Sequence, residues 1–213
     1  MKWTVCPFGP IQANCYILID NSSDMCLIID PGEEFNKIKK IIAQSGAVPQ
    51  AVLLTHAHFD HIGALDAVRD EWAVPAYGQT NEADWPDHPE KNGSAHFAMA
   101  QPVTAGAAEH LLEGNEHLSI GSFSFKVLPT PGHSPGGVSF YFPQEHTVFC
   151  GDALFRESIG RTDQYGGNQV QLLESIREQL LFLPDETVVC PGHGPSTTIG
   201  HERIANPFLM GLT

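Results

Sequence analysis

Positive charge is scarce in this sequence of 213 residues. Lys and Arg together number 11 against 25 Asp and Glu, which gives a formal net charge of −14 with neutral His. A strongly negative field repels polyanions, so nucleic acid is an unfavourable partner. The acidic excess otherwise indicates only solubility. A small anionic substrate stays compatible with it, provided that the charge at the binding site itself is positive.

Long apolar runs are also absent. Nowhere do about eighteen apolar residues follow one another, and the N-terminal residues Met1-Lys-Trp-Thr-Val do not form the apolar stretch of a signal peptide. The five cysteines are an odd number without a CxxC pair, which indicates reduced thiols. We therefore expect a soluble, cytoplasmic protein without disulfides and without a membrane partner.

Apolar patterning predicts one α/β domain that spans residues 1–213, long enough to bury a substantial core. Predicted strands cover residues 3–8, 15–19, 26–29, 51–54, 123–128, 138–142, 147–150 and 187–190. Predicted helices cover residues 33–44, 62–71 and 168–183. Residues 79–119 are less regular: we predict an exposed loop at 81–93, a short helix at 105–112, and a segment that can act as a lid.

Side chains that can bind metal are concentrated directly after the predicted strand at 51–54. Residues 55–61 are Thr-His-Ala-His-Phe-Asp-His, which supply three imidazoles and one carboxylate. In an extended backbone, residues two apart point to the same side, so His56, His58 and Asp60 can converge while His61 faces a neighbouring point. Nitrogen and oxygen donors without thiolate suit zinc, iron or manganese, and more than four donors indicate more than one ion.

Three further donors follow predicted strands. His133 lies in a turn of Pro and Gly, Asp152 follows the strand at 147–150, and His193 follows the strand at 187–190. Strand-end loops of an open sheet commonly meet at one edge, where binding sites form. Cys150 is interpreted as a small buried hydrophobe rather than a ligand. The remaining candidates have no ligand-like context; they are the histidines at 88, 96, 110 and 117.

This ordered set of motifs resembles the metallo-β-lactamase-fold hydrolases, and within them the short, single-domain glyoxalase II-like proteins. The resemblance extends from Asp30 to His193. It implies a four-layer αβ/βα sandwich with two divalent metal ions, with zinc expected ahead of iron or manganese. The ligands it implies are His56, His58 and His133 for the first ion, Asp60, His61 and His193 for the second, and Asp152 as a bridge.

The aspartate at position 152 favours one branch of the family. Many β-lactamases of this fold have a cysteine at that step, so Asp152 favours thioester hydrolysis. The expected reaction is that of a hydroxyacylglutathione hydrolase on S-lactoylglutathione, in which hydroxide produced at the metal centre attacks the carbonyl. Asp60 would bind an ion and orient that hydroxide. Asp30 either orients a ligand histidine or only forms the turn before Pro31.

The segment that follows Asp152 supplies the substrate hypothesis. Gly160-Arg-Thr-Asp163 resembles a segment of small glyoxalase II-like proteins and of persulfide dioxygenases, and Arg161 stands where glyoxalase II proper has a substrate-contacting lysine. The guanidinium either binds a carboxylate of a glutathione-type substrate or pairs with Asp163. Twenty residues follow His193, so we expect no helical glutathione-binding domain, and other small-molecule thioesters remain possible substrates.

Two other classes of function are compatible with parts of this pattern. A glutathione persulfide dioxygenase would use one non-haem iron held by His56, His133 and Asp152. A binding module without catalysis is less favoured, because all seven donors are present. The sequence leaves the identity of the metal and the oligomeric state open.

Overall fold

The N-terminal half builds one mixed sheet of six strands, in a computed structural model that describes residues 1–97 and 101–211. Its strands are β1 Lys2–Phe8, β2 Ala13–Ile19, β3 Met25–Ile29, β4 Val48–Leu53, β5 Ala76–Gln79 and β6 His110–Leu112. They lie in the order of the chain. β1, β2 and β3 pair antiparallel, and β3 to β6 pair in parallel.

The C-terminal half builds a second sheet of six strands. They are β7 Glu116–Ile120, β8 Phe123–Pro129, β9 Val138–Phe142, β10 Thr147–Gly151, β13 Val188–Pro191 and β14 Thr197–Thr198. Their spatial order is β14, β13, β10, β9, β8, β7, and β10 and β13 are parallel. A separate hairpin follows β10 and consists of β11 Leu154–Phe155 and β12 Ser158–Ile159.

Most of the helices contribute apolar residues to the clusters on the outer faces of the two sheets. The helices are α1 Phe35–Ser45, α2 Phe59–Ile62, α3 Leu65–Trp72, α4 Pro89–Asn92, α5 Gln169–Ser175 and α6 Ile199–Ala205. Short 3-10 turns lie at Thr80–Glu82, Ser94–His96 and Pro143–Glu145, and the π-helical turn Ile176–Leu180 continues α5. Across the described chain, no helix has the length and apolar character needed to cross a membrane.

Successive side chains along each strand point to opposite faces of the sheet, and this alternation produces the four layers. Leu18 on β2 points between the sheets and packs with Phe125 and Phe140 of the second sheet, whereas its neighbour Ile17 points outward and packs with Ile38 of α1. The outer face of the second sheet packs on α5 in the same way. Because both faces of these strands are buried, their sequences are continuous apolar runs. The predicted αβ/βα sandwich is confirmed.

Two predictions in the region 79–119 are wrong. Residues 110–112 form β6 rather than part of a helix, because the Glu109 carboxylate accepts the Ala76 N–H at 2.7 Å and aligns this segment with β5. The stretch at 81–93 is not simply exposed, since Glu82, Trp85 and Asn92 are buried. Part of the proposed lid, residues 98–100, lies outside the described residues.

Candidate metal centre

The loops that carry the predicted ligands open at one edge of the sandwich. His56 and His58 follow β4, Asp60 and His61 lie on α2, and the other three donors follow β8, β10 and β13. The ligand atoms of His56, His58 and His133 lie within 4.8 Å of one another and form the first cluster. The second cluster, with the same spacing, consists of Asp60, His61 and His193. The structure thus brings all six together in the two predicted sets.

Asp152 lies between the two clusters. One oxygen, Oδ1, is 3.5 Å from Nε2 of His61. The other, Oδ2, is 3.6 Å from Nε2 of His133 and 3.5 Å from Nε2 of His193. One carboxylate therefore faces both clusters, which is the position of a bridging ligand.

One expectation from sequence spacing is wrong. Asp60 does not converge with His56 and His58, because helix α2 begins at Phe59 and turns Asp60 toward the second cluster. His58 retains an extended backbone with ψ of 150° directly before that helix. The change from strand-like to helical backbone within four residues is what divides this one motif between two clusters.

Several polar atoms at the centre fit bound metal ions. Nε2 of His56, Nε2 of His61 and Oδ1 of Asp152 are buried and have no hydrogen-bond partner within the described residues. Nε2 of His58 likewise has no partner among the described residues, whereas Nδ1 of His58 and Nε2 of His133, 2.9 Å apart, form a hydrogen bond whose donor depends on the tautomers of the two rings. Buried polar groups normally have a hydrogen-bond partner. Metal ions would satisfy these atoms, and a set of imidazole and carboxylate donors suits divalent ions.

A chain of hydrogen bonds fixes the tautomers of two histidines. Asp30 accepts the Thr55 hydroxyl at 2.6 Å and lies 3.0 Å from Nδ1 of His61. Since the Thr55 proton is used in this way, the Thr55 oxygen can accept a hydrogen bond from Nδ1 of His56 at 3.1 Å. Both rings then turn Nε2 toward the centre. Asp30 therefore orients a ligand histidine, as one of its two predicted roles required.

Backbone carbonyls act in the same way on two other ligands. Nδ1 of His133 lies 2.7 Å from the carbonyl oxygen of Arg161, and Nδ1 of His193 lies 3.1 Å from that of Ile11. A carbonyl oxygen only accepts, so each Nδ1 must donate, and Nε2 is the nitrogen of each ring that faces the candidate metal centre. The sequence analysis missed Thr55 and Ile11. Thr55 directly precedes His56, but a backbone carbonyl has no sequence signature.

Asn14 is another residue that the sequence analysis missed. Its side-chain amide donates to the carbonyl oxygens of Pro191 at 3.0 Å and of Gly194 at 2.9 Å, on either side of His193. Its backbone N–H donates to the Gly192 carbonyl at 2.7 Å. The first sheet thereby holds the loop that carries a ligand of the second sheet.

Burial and charge act in opposite directions on the histidines. Burial and the neighbouring imidazoles lower the pKa of His56 well below its usual value, and burial beside His133 lowers the pKa of His58 to about 3. Burial also disfavours protonation of His61, but Asp60 and Asp30 outweigh it and raise the pKa of His61 well above its usual value. His56 and His58 are therefore neutral near pH 7, which is the state that binds metal.

A cavity of about 400 Å³ opens onto both clusters. Phe59, Phe155 and Ile159 supply apolar walls, and Phe97 and Arg161 lie at its side. A polar centre beneath an apolar cleft of this size can hold a small organic substrate.

Arg161 lies at the rim of this cavity with its guanidinium engaged. Its Nε is 2.7 Å from Oδ1 of Asp163 and its Nη2 is 2.8 Å from Oδ2, and both side chains are exposed. This is the alternative pairing considered above, and substrate binding by Arg161 stays a prediction. Cys150 is buried in the core, as expected, and all five cysteines are free thiols.

Relatives of known sequence match the chain over its whole length. The family model of the Metallo-beta-lactamase superfamily matches residues 8–193. The chain is similar to the probable metallo-hydrolase YqgX of Bacillus subtilis, with 53% identity over 213 residues that cover all of both proteins. It is similar to the hydroxyacylglutathione hydrolase GloC of Haemophilus influenzae, with 34% identity over 98% of each.

Solved structures match the fold closely. BLEG-1 B3 metallo-beta-lactamase has a TM-score of 0.95 at 47% identity over 99% of this chain and 100% of its own. TTHA1623, solved in a di-iron-bound form, has 0.85 at 40% identity over 97% and 100%. ETHE1 from Myxococcus xanthus has 0.79 at 29% identity over 97% and 84%. With the ligand loops in place and the family model spanning most of its length, the chain belongs to the metallo-beta-lactamase superfamily.

Proposed function

We propose that the protein is a metal-dependent thioester hydrolase with hydroxyacylglutathione hydrolase activity on S-lactoylglutathione. The observation that carries the proposal is the position of Asp152, whose Oδ2 lies near both His133 and His193 and whose Oδ1 lies near His61. A bridging carboxylate lets one centre hold two divalent ions, with zinc the first choice and iron or manganese the alternatives. The likeness to GloC supports the substrate class.

Different residues of the chain have different roles in the proposed reaction. The ions, when bound, lower the pKa of water and polarise the substrate carbonyl. Asp60 lines the cavity, with Oδ2 at 3.1 Å from His193 Nε2, and its carboxylate can orient a water there or accept its proton. The apolar wall of Phe155 and Ile159 excludes bulk water from one side of the cavity. The hydrogen bonds to Asp30 and to backbone carbonyls keep the imidazoles in the ligating tautomer.

The test is a substrate panel on protein of defined metal content. Zinc-loaded protein is assayed with S-lactoylglutathione, with other acyl thioesters and with a cephalosporin, and thiol release is followed for the thioesters. We expect S-lactoylglutathione to be hydrolysed, and His133→Ala to abolish the activity. The proposal is wrong if no thioester is cleaved, or if the cephalosporin, included because of the likeness to BLEG-1, is the better substrate.

A second candidate is a glutathione persulfide dioxygenase with one iron held by His56, His133 and Asp152. It is favoured by the likeness to ETHE1 and by the segment Gly160-Arg-Thr-Asp163. Iron-loaded protein supplied with glutathione persulfide is placed in an oxygen electrode. Oxygen consumption with one iron per chain supports the dioxygenase, and its absence together with thioester cleavage supports the hydrolase.

A further inference from the structure

Glu82 is a buried carboxylate close to the metal centre, and the reaction outlined above does not use it. It ends the 3-10 turn Thr80–Glu82 after β5, and its residue is 3% exposed. Burial of a carboxylate is unfavourable unless its oxygens are paired. Its polar partners identify what it does.

Each carboxylate oxygen of Glu82 accepts a hydrogen bond from a different ligand-bearing loop. Oε2 accepts the backbone N–H of Ala57 at 2.6 Å, and Ala57 lies between His56 and His58. Oε1 accepts the backbone N–H of Gly136 at 2.7 Å, in the turn that carries His133. The three histidines next to these two amides are the members of the first cluster. One carboxylate is thus hydrogen-bonded to both loops that form that cluster.

The contact is tight on the side of the His133 turn. A Cβ on Gly136 would lie 2.8 Å from Cγ and Cδ of Glu82, so the carboxylate is pressed against the backbone of the turn. Glu82, Ala57 and His56 line the same small cavity. The negative charge therefore lies directly behind the first cluster, where it favours a cation.

We propose that Glu82 is a positioning residue that sets the metal affinity of the His56, His58 and His133 cluster. Its carboxylate fixes the distance between the two ligand loops and adds a negative charge behind them. Its hydrogen bonds within the described residues reach no member of the second cluster, which Glu82 affects only through its charge, at His61. The inference rests on the metal centre of the proposed function.

The test first disables one of the two clusters by mutation and then removes the Glu82 carboxylate. His193→Ala leaves the first cluster intact, and His58→Ala leaves the second intact. Glu82→Gln, added to each, keeps the size of the side chain but removes its charge and places an NH2 group against one of the two amides. Zinc affinity is measured by competition with a chromogenic chelator. We expect a loss of about ten- to a hundredfold on the His193→Ala background, and a much smaller loss, from the missing charge alone, on the His58→Ala background.

Glu202→Gln is the matched control. Glu202 is also a buried carboxylate that accepts a backbone N–H, that of Glu157 at 2.8 Å, but it lies on α6 and its hydrogen bonds in the described chain reach no ligand loop. We expect Glu202→Gln to leave both zinc affinities unchanged. The proposal is wrong if Glu82→Gln leaves both affinities unchanged, or if Glu82→Gln and Glu202→Gln lower them equally. If Glu82→Gln does not fold, Glu82→Asp decides, because it keeps the charge but is too short for both amides; wild-type affinity in that variant then overturns the proposal.

Measurements on the wild-type protein distinguish a failure of the Glu82 proposal from a failure of the proposed function. Its zinc stoichiometry is measured first. A second ion that never binds contradicts the dinuclear hydrolase, and Glu82→Gln is then judged on the affinity of the ion that remains. Unchanged affinity for that ion contradicts the role of Glu82 alone.

Discussion

Asp60 offers the sharpest test of chemistry at the level of one residue. Its Oδ2 lies 3.1 Å from Nε2 of His193 and 3.4 Å from Nε2 of His61. Burial disfavours its charge, but the two imidazoles outweigh burial and lower the pKa of Asp60 well below its usual value. Asp60 is therefore ionised at neutral pH, as a ligand and a proton acceptor must be.

Replacement of that carboxylate by an amide should affect the reaction more than substrate binding. For Asp60→Asn we expect kcat to fall by about a hundredfold or more with KM changed little, because the lost interaction acts in the transition state. Steady-state kinetics on variant protein with measured metal content gives the answer. A variant loaded with metal to the wild-type level and with near-wild-type kcat would rule out this role.

Arg161 allows a paired test of substrate binding. Arg161 is exposed, and an exposed contact between its guanidinium and a substrate carboxylate is worth at most about 1 kcal/mol. Arg161→Ala should therefore raise KM for S-lactoylglutathione by roughly fivefold at most, with kcat little changed. Asp163→Ala releases the guanidinium and should lower KM. If neither variant changes KM, Arg161 serves His133 through its backbone carbonyl only.

At the scale of elements, the strands buried on both faces were predictable, whereas the short or partly exposed strands β5, β6, β7, β11, β12 and β14 were not. Strands such as β2 and β9 are buried on both faces, so their apolar runs identify them. Segment 105–112 has helical composition, but pairing with β5 outweighs that local preference. The helix predicted over 62–71 begins earlier and is divided into α2 and α3. The additional strand β7 was missed because its residues are only partly buried.

The same limits apply to the candidate site. Seven donors were identified because His and Asp after strands carry their own chemical signature. The supports of those donors were mostly not identified, because Thr55, Asn14 and Glu82 act through contacts with residues far away in the sequence. The division of Asp60 from His58 depended on where α2 begins, and helix boundaries are poorly determined by local sequence.

The placement of α2 depends on a close approach of backbone. Gly32 contacts the helix so tightly that a Cβ there would lie 1.8 Å from the carbonyl oxygen of Asp60. Gly32→Ala must therefore displace the element that carries Asp60 and His61. We expect the folded variant to lose the ion of the second cluster and keep that of the first, as measured by elemental analysis after dialysis.

Gly46→Ala is the control for that experiment. Gly46 has φ of +69°, and a Cβ added there would meet no described atom within 4 Å, so its replacement costs about 1 kcal/mol of backbone strain and touches no ligand. Metal content should stay at the wild-type value. Two ions retained by Gly32→Ala would show that α2 tolerates the displacement.

At the scale of the whole molecule, the metal centre joins the two halves of the sandwich. His56 and His58 come from the first sheet, and His133, Asp152 and His193 come from the second. Several buried lone pairs at this junction have no protein partner among the described residues. Ions that bind the folded chain but not the unfolded chain stabilise the whole fold rather than one loop.

Removal of metal should therefore lower the melting temperature of the entire domain. At free zinc about 1,000 times above Kd, binding contributes about 4 kcal/mol, and one kcal/mol shifts the melting of a chain of this size by about 2–4 °C. We expect chelation to lower Tm by about 8–16 °C, in one cooperative transition followed by circular dichroism. The double variant His58→Ala, His193→Ala should melt at the same temperature with and without chelator, since it lacks a ligand in each cluster. An unchanged wild-type Tm after complete removal of the ions would mean that the sheets are held by their apolar interface alone, through contacts such as those of Phe125 and Phe140 with Leu18.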